Sequence, residues 1–181
     1  MIRIPGRGSL DRAPRARPAV LALGSNLGAR GELLRAAVAA LRATPGIEVT
    51  AVSPVVESIA VKLSGADPTA PRYLNAVVLV DTFLSPHGLL DAVHDIETEH
   101  GRTREERWGD RTLDIDIVDF DGLESADPSL TLPHPRAAER AFVLAPWLAV
   151  DADAFLPGVG PVAAQLTKIG NDTVPAEEVQ L

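Results

Sequence analysis

Between Gly101 and Asp116 the chain reads GRTREERWGDRTLDID, four arginines followed by two aspartates one residue apart. On a β-strand, side chains at i and i+2 share a face about 7 Å apart, so Asp114 and Asp116 would point together while Leu113, Ile115 and Ile117 point into a core. Two carboxylates on one face repel, and holding both ionised is costly unless a cation stands between them. A cation held by only two carboxylates suits Mg²⁺, which keeps waters and takes the phosphate oxygens of a substrate. Arg102, Arg104, Arg107 and Arg111 arrive immediately before the pair, and arginine offers phosphate a planar fork of donors that never loses its charge. A magnesium site beside arginines is equipment for phosphoryl transfer, where the protein positions reactants and neutralises charge. A bare D-x-D is often only a solvated strand face. Here Val118 and Phe120 follow on the expected same face, which argues for cover. Gly101 and Gly109 are expected as flexible points of a loop that closes over a nucleotide, with Glu105, Glu106 and Asp110 competing for its arginines.

These groups must be held by regular elements, and the pattern predicts them. Pro18 to Gly24 is a short apolar run suited to a buried strand, and Leu33, Leu34, Ala37, Val38 and Leu41 form one stripe of a helix over Glu32 to Arg42. Ile47 to Ser53 alternates like a half-buried strand, and Tyr73 to Thr82 is rich enough in β-formers for a central one. Ser85-Pro86 reads as an N-cap with proline at the first helical position, opening a helix to about His100 with Leu89, Leu90, Val93 and Ile96 inward and Glu97 at the stripe's edge. Gly101 stands where a C-terminal cap is expected. Leu113 to Phe120 is the strongest strand, and Ala137 to Val150 is expected to begin as a helix broken by Pro146. The order β-α-β-β-α-β implies an α+β fold, the ferredoxin-like βαββαβ arrangement with helices on a mostly antiparallel sheet.

Composition bounds the rest. With 181 residues, 46% of them apolar, one domain is expected, spanning residues 18–170. Residues 1–17 carry five arginines and few large apolar groups, and are expected to be a disordered leader or linker without function; residues 171–181 are expected to be a flexible tail. No run of eighteen apolar residues and no secretory signal is present, which predicts a cytoplasmic protein without a membrane partner. There is no cysteine, so a metal must be held by carboxylate, imidazole or water. A formal charge of −8 argues against nucleic acid as a partner, and one tyrosine with four phenylalanines is too few for a sheet that stacks bases.

The run R-x-R-x-x-R-W-G-x-R-T-L-D-I-D-I closely resembles the central motif of the hydroxymethyldihydropterin pyrophosphokinases. Leu23-Gly24-Ser25-Asn26-Leu27-Gly28, Tyr73-Leu74-Asn75-Ala76, Leu132-Pro133-His134-Pro135 and Arg140-Ala141-Phe142-Val143-Leu144 support the resemblance in family order over about residues 19–150. It implies an enzyme of folate synthesis that moves pyrophosphate from ATP to 6-hydroxymethyl-7,8-dihydropterin and releases AMP, acting as a monomer. Asp114 and Asp116 would hold two magnesium ions. Arg102 and Arg111 would engage phosphates from the loop, with Trp108 near the pterin. His134 and Arg140 would grip ATP, and Glu97 would line the cleft on the nucleotide side. Tyr73 and Phe142 would wall the pterin, with Asn75 on its polar edge.

The chain departs from the family pattern at VESIAVK, where Val56, Ser58 and Ile59 replace an aromatic, a threonine and a proline, and at Asp110, which replaces a proline. These departures motivate a rival reading as a pterin- or nucleotide-binding protein of weak activity.

Overall fold

The computed structural model describes residues 15–62, 65–67, 72–100 and 112–181. The chain runs β1 (Arg17–Ser25), α1 (Arg30–Ala43), β2 (Ile47–Val52), β3 (Val56–Ser58), β4 (Ala60–Lys62), β5 (Gly65–Asp67), β6 (Tyr73–Thr82), α2 (Pro86–Glu99) and β7 (Asp114–Phe120). It continues through β8 (Ser125–Asp127), β9 (Leu130–Leu132), a 3-10 turn (Ala137–Glu139), α3 (Ala141–Val150), β10 (Phe155–Leu156), β11 (Gly160–Pro161), α4 (Val162–Ile169) and β12 (Val174–Pro175).

The main sheet has the order β12-β3-β6-β1-β7, with β2 also on β6. Its pairings are antiparallel. β1 and β2 therefore run parallel with β6 between them, and β6 and β7 run parallel with β1 between them. These are the two interlocked split βαβ units of the ferredoxin-like expectation.

Period-2 alternation in the strands feeds two cores. Leu21 and Leu23 of β1, Val78 and Val80 of β6, and Ile115 and Ile117 of β7 pack with the stripes of α1 and α2. The α1 stripe is Leu34, Ala37, Val38 and Leu41, at the spacing a helix needs to present one face. α2 starts as its sequence predicts, with Pro86 in the first turn and the Ser85 hydroxyl accepting from the Gly88 N–H at 3.0 Å. On the other face, Val20, Val77 and Val118 meet Val143, Leu144 and Trp147 of α3 and Val162 of α4. α3 and α4 cover only part of that face.

Four expectations are corrected. Phe120 does not share a face with Val118. The register passes from Val20↔Asp119 to Leu21↔Ile117, so Val118 is an extra, bulged residue, and Phe120 turns into the core under α1 and α2. Arg17 is not leader: it opens β1 opposite Thr82, 2.9 Å from Asp121 and over the Phe120 ring at 4.5 Å. Pro146 does not break α3, and the helix starts at Ala141 after the 3-10 turn. The bond that Pro146 cannot donate is outweighed by burial of Val143, Leu144 and Trp147 around it. The segment expected as a flexible tail instead adds β12 to β3, buries Ala176 to 2% exposure and lays Val179 and Leu181 against the core.

Candidate active site

β7 presents Asp114 and Asp116 on the sheet face that α3 only partly covers, with Ile115 and Ile117 turned to the opposite core. Asp114 lies opposite Gly24 of β1, which lies opposite Asn75 of β6; Asp116 lies opposite Ala22. Gly24 and Ala22 leave the floor beside both carboxylates low. A Cβ at Gly24 would stand 3.4 Å from Asn75 Oδ1, so a larger residue there would fill the space between the aspartates and Asn75. Above this floor is a cleft of about 170 Å³, with Tyr73, Ser58 and Ile59 on one wall and Arg140 and Phe142, where α3 begins, on the other.

Three strands and a turn converge on the carboxylates. Arg140 Nη1 donates to Asp116 Oδ2 at 3.1 Å, and the same guanidinium lies 5.6 Å from the Phe142 ring centre. His134 Nε2 stands 3.6 Å from that Asp116 oxygen. The His134 backbone is fixed to β7 by its N–H, which donates to the Val118 carbonyl at 2.9 Å. Its Nδ1 accepts from the Arg136 N–H at 3.2 Å, so the ring proton sits on Nε2, facing Asp116. Burial pushes the imidazole pKa below its ordinary value, against the opposing pull of Asp116, which favours the neutral ring at this contact. Asn75 is 4% exposed and its Nδ2 donates to Ser58 Oγ at 2.9 Å. The turn after β1 is tied to the start of β7 by Ser25 Oγ, which donates to the Thr112 carbonyl at 2.6 Å.

Asp114, Asp116, Tyr73, Asn75, Phe142 and Arg140 thus line one cleft, and His134 stands beside Asp116. Arg102, Trp108 and Arg111 lie outside the described residues, as do Gly101 and Gly109. Glu97 is corrected: it is 1% exposed, behind the sheet, and its Oε1 accepts from the Ile115 N–H at 2.8 Å. It faces away from the cleft because it belongs to the same inward stripe as Leu89, Val93 and Ile96. Arg136 was missed; it lines the cleft two residues beyond His134. Ala22 and Gly24 were missed as well, since small residues carry no signal until their strand register is known.

The donor set fits magnesium. Two carboxylates supply hard oxygen ligands from one strand face, and among the described residues no cluster of three or more His, Asp or Glu side chains offers a complete protein cage. An ion there would complete its shell with water and substrate phosphate.

Residues 20–152 match the family model described as 7,8-dihydro-6-hydroxymethylpterin-pyrophosphokinase. A 2-amino-4-hydroxy-6-hydroxymethyldihydropteridine pyrophosphokinase of Methylorubrum extorquens is 43% identical over 140 residues, covering 77% of this chain and 86% of the relative. The protein of the same name from Bacillus subtilis is 46% identical over 128 residues, 71% and 74% of the two chains. Among solved structures, Plasmodium falciparum HPPK-DHPS superposes with a TM-score of 0.67 over 92% of this chain at 14% identity, a likeness of fold. This chain spans 50% of that protein's length. With the family model matching most of the sequence and the cleft built from the same blocks of residues, the chain belongs to the 7,8-dihydro-6-hydroxymethylpterin-pyrophosphokinase family.

Proposed function

We propose that the chain transfers the terminal pyrophosphoryl group of ATP to the hydroxymethyl oxygen of 6-hydroxymethyl-7,8-dihydropterin, a step of folate biosynthesis. The observation that carries this reading is the aspartate pair on a low floor of Ala22 and Gly24, with Arg140 already 3.1 Å from Asp116.

The pterin oxygen attacks the β-phosphorus, the new O–P bond forms, and the bond from that phosphorus to the α,β-bridging oxygen breaks. AMP leaves with the bridging oxygen, and the hydroxyl proton is released. Magnesium, two ions in this reading, would be held by Asp114 and Asp116 and neutralise phosphate charge. Arg140 and Arg136 hold the phosphates, with the neutral His134 offering its Nε2–H beside them. Tyr73 and Phe142 wall the pterin, and Asn75, set by Ser58, meets its polar edge. Arg102 and Arg111 are assigned to phosphates and Trp108 to the pterin by sequence match. No helix among the described residues is long and apolar enough to cross a membrane. The reading is of a cytoplasmic monomer that takes ATP and the pterin.

The test is AMP release from ATP and Mg²⁺, with and without the pterin, for the native chain and Asp116→Ala. Pterin-dependent AMP, lowered at least about 10²-fold in the variant, is expected. Tight pterin binding without AMP would favour instead a binding protein, and would point to Ser58 and Ile59, which line the cleft where the family pattern differs.

A further inference from the structure

β7 is the last strand of the main sheet and pairs only with β1 among the described residues, so one edge of the strand that carries both aspartates faces outward. Backbone groups on such an edge need partners, and the edge shifts if they have none. Two are supplied. The Val118 carbonyl accepts from the His134 N–H at 2.9 Å, and the Ile115 N–H donates to the Glu97 carboxylate at 2.8 Å. Ile115 is the residue between Asp114 and Asp116, and its N–H belongs to the peptide plane joining Asp114 to Ile115.

Glu97 is also in an unusual place. It is 1% exposed on a helix face otherwise made of Leu89, Val93 and Ile96, where packing alone would favour another aliphatic residue. Burying a carboxylate is costly, and a charge-assisted bond to a backbone N–H is stronger and shorter than a neutral one. We propose that Glu97 is a positioning residue for the metal-binding pair: from behind the sheet it locks the peptide between Asp114 and Asp116 and so sets the aim of both carboxylates. It does so without touching nucleotide or metal, in contrast to the cleft-lining role that the family resemblance implied.

The inference rests on the proposed function for its meaning, but its test is read without turnover. Glu97→Leu keeps the volume and removes the acceptor; Glu97→Gln keeps an acceptor oxygen and removes the charge. Amide exchange at Ile115 and Mn²⁺ binding by electron paramagnetic resonance, with a non-hydrolysable ATP analogue present, are measured for both, followed by kcat and KM. In Glu97→Leu the Ile115 amide should exchange faster and Mn²⁺ bind roughly 10-fold or more weaker, in the range for residues that orient metal ligands. The kcat should fall with it, while the pterin KM stays within about twofold, since the proposed pterin wall is built on β6 and α3. Glu97→Gln should restore Mn²⁺ affinity to within about threefold of native. A folded Glu97→Leu with native Mn²⁺ affinity would overturn the proposal and leave Glu97 as an edge cap only. If the leucine variant does not fold, Glu97→Ala takes its place: Mn²⁺ binding roughly 10-fold or more weaker with a faster Ile115 amide would uphold positioning, and native affinity would overturn it. A roughly 10-fold loss of Mn²⁺ binding in Glu97→Gln would overturn positioning in favour of an effect of charge. Loss of Mn²⁺ binding in Glu97→Leu from a chain whose native form releases no AMP would uphold the positioning role while rejecting the activity.

Discussion

Arg140 donates to Asp116 across 3.1 Å, so the cation proposed to hold phosphate also neutralises the carboxylate proposed to hold the metal. The two side chains keep 22% and 30% exposure, which screens the pair and makes it exchangeable. Arg140→Ala should therefore tighten Mg²⁺ binding to the nucleotide-free enzyme a few-fold, by removing a competitor, while raising the KM for ATP about 10-fold or more. Arg140→Lys should fall between, since it keeps the charge and loses both the fork and the stacking over Phe142. Calorimetric Mg²⁺ titration checks the first effect and steady-state kinetics the second; weaker Mg²⁺ binding in Arg140→Ala would contradict the account.

Ser58 and Asn75 are each 4% exposed and share a 2.9 Å hydrogen bond beside Tyr73, the residue proposed to wall the pterin. Ser58→Ala leaves Asn75 Nδ2 with only a 3.5 Å contact to the Tyr73 carbonyl, at a cost of about 1 kcal/mol. The KM for the pterin should rise about 5-fold and that for ATP stay level, with Ser58→Thr close to native because the hydroxyl acceptor remains. Equal changes in both KM values would show that the pair supports the whole cleft and not one substrate.

Asp119 is a carboxylate kept for a turn and held at a cost. Burial, partly offset by N–H donors from Gly122 and Phe120, raises its pKa above the ordinary 3.8. Its Oδ1 is buried with no hydrogen-bond partner among the described residues, while Oδ2 accepts from the Gly122 N–H. In the window opening upward from 3.8, the folded chain binds more protons here than the unfolded chain does. The contribution of this group to stability therefore falls as pH rises through that window and stays unfavourable at neutral pH. Asp119→Asn keeps an acceptor for Gly122 and should stabilise the protein at pH 7 by roughly 1 kcal/mol, or about 2–4 °C in Tm. Melts repeated toward pH 4 should show the gain shrinking; a gain independent of pH would refute the electrostatic cause.

The C-terminal segment ought to matter to the cleft although it lies beyond the family-matched residues 20–152. Val174 and Pro175 pair with Glu57 and Val56, and the Ala176 N–H donates to the Val55 carbonyl at 2.9 Å. Asn171 and Asp172 wall a hollow of about 290 Å³ that adjoins the cleft through Ser58, Ile59 and Phe142. Ending the chain at Gly170 should cost about 2 kcal/mol from lost burial, a Tm drop of about 4–8 °C, and should raise the pterin KM because β3 loses its outer neighbour. Differential scanning calorimetry and pterin kinetics on the shortened chain test this; native values for both would return the segment to the status of a tail.

The sequence alone was enough for whatever depends on local periodicity and residue chemistry. Alternation of two placed Asp114 and Asp116 together and away from Ile115, because strand geometry reverses each successive side chain whatever the strand pairs with. Ser85-Pro86 announced α2, because an N-cap acts within its own turn. Tertiary structure decided what depends on which distant segments meet. A bulge opposite β1 turned Phe120 over, and register put Ala22 and Gly24 beside the aspartates. Burial under the sheet sent Glu97 to the Ile115 N–H, and β3 gave the last residues a strand to join. Hydrogen-bond register and burial are relations between segments far apart in the chain, so no window of local sequence contains them, and only the closed sheet does.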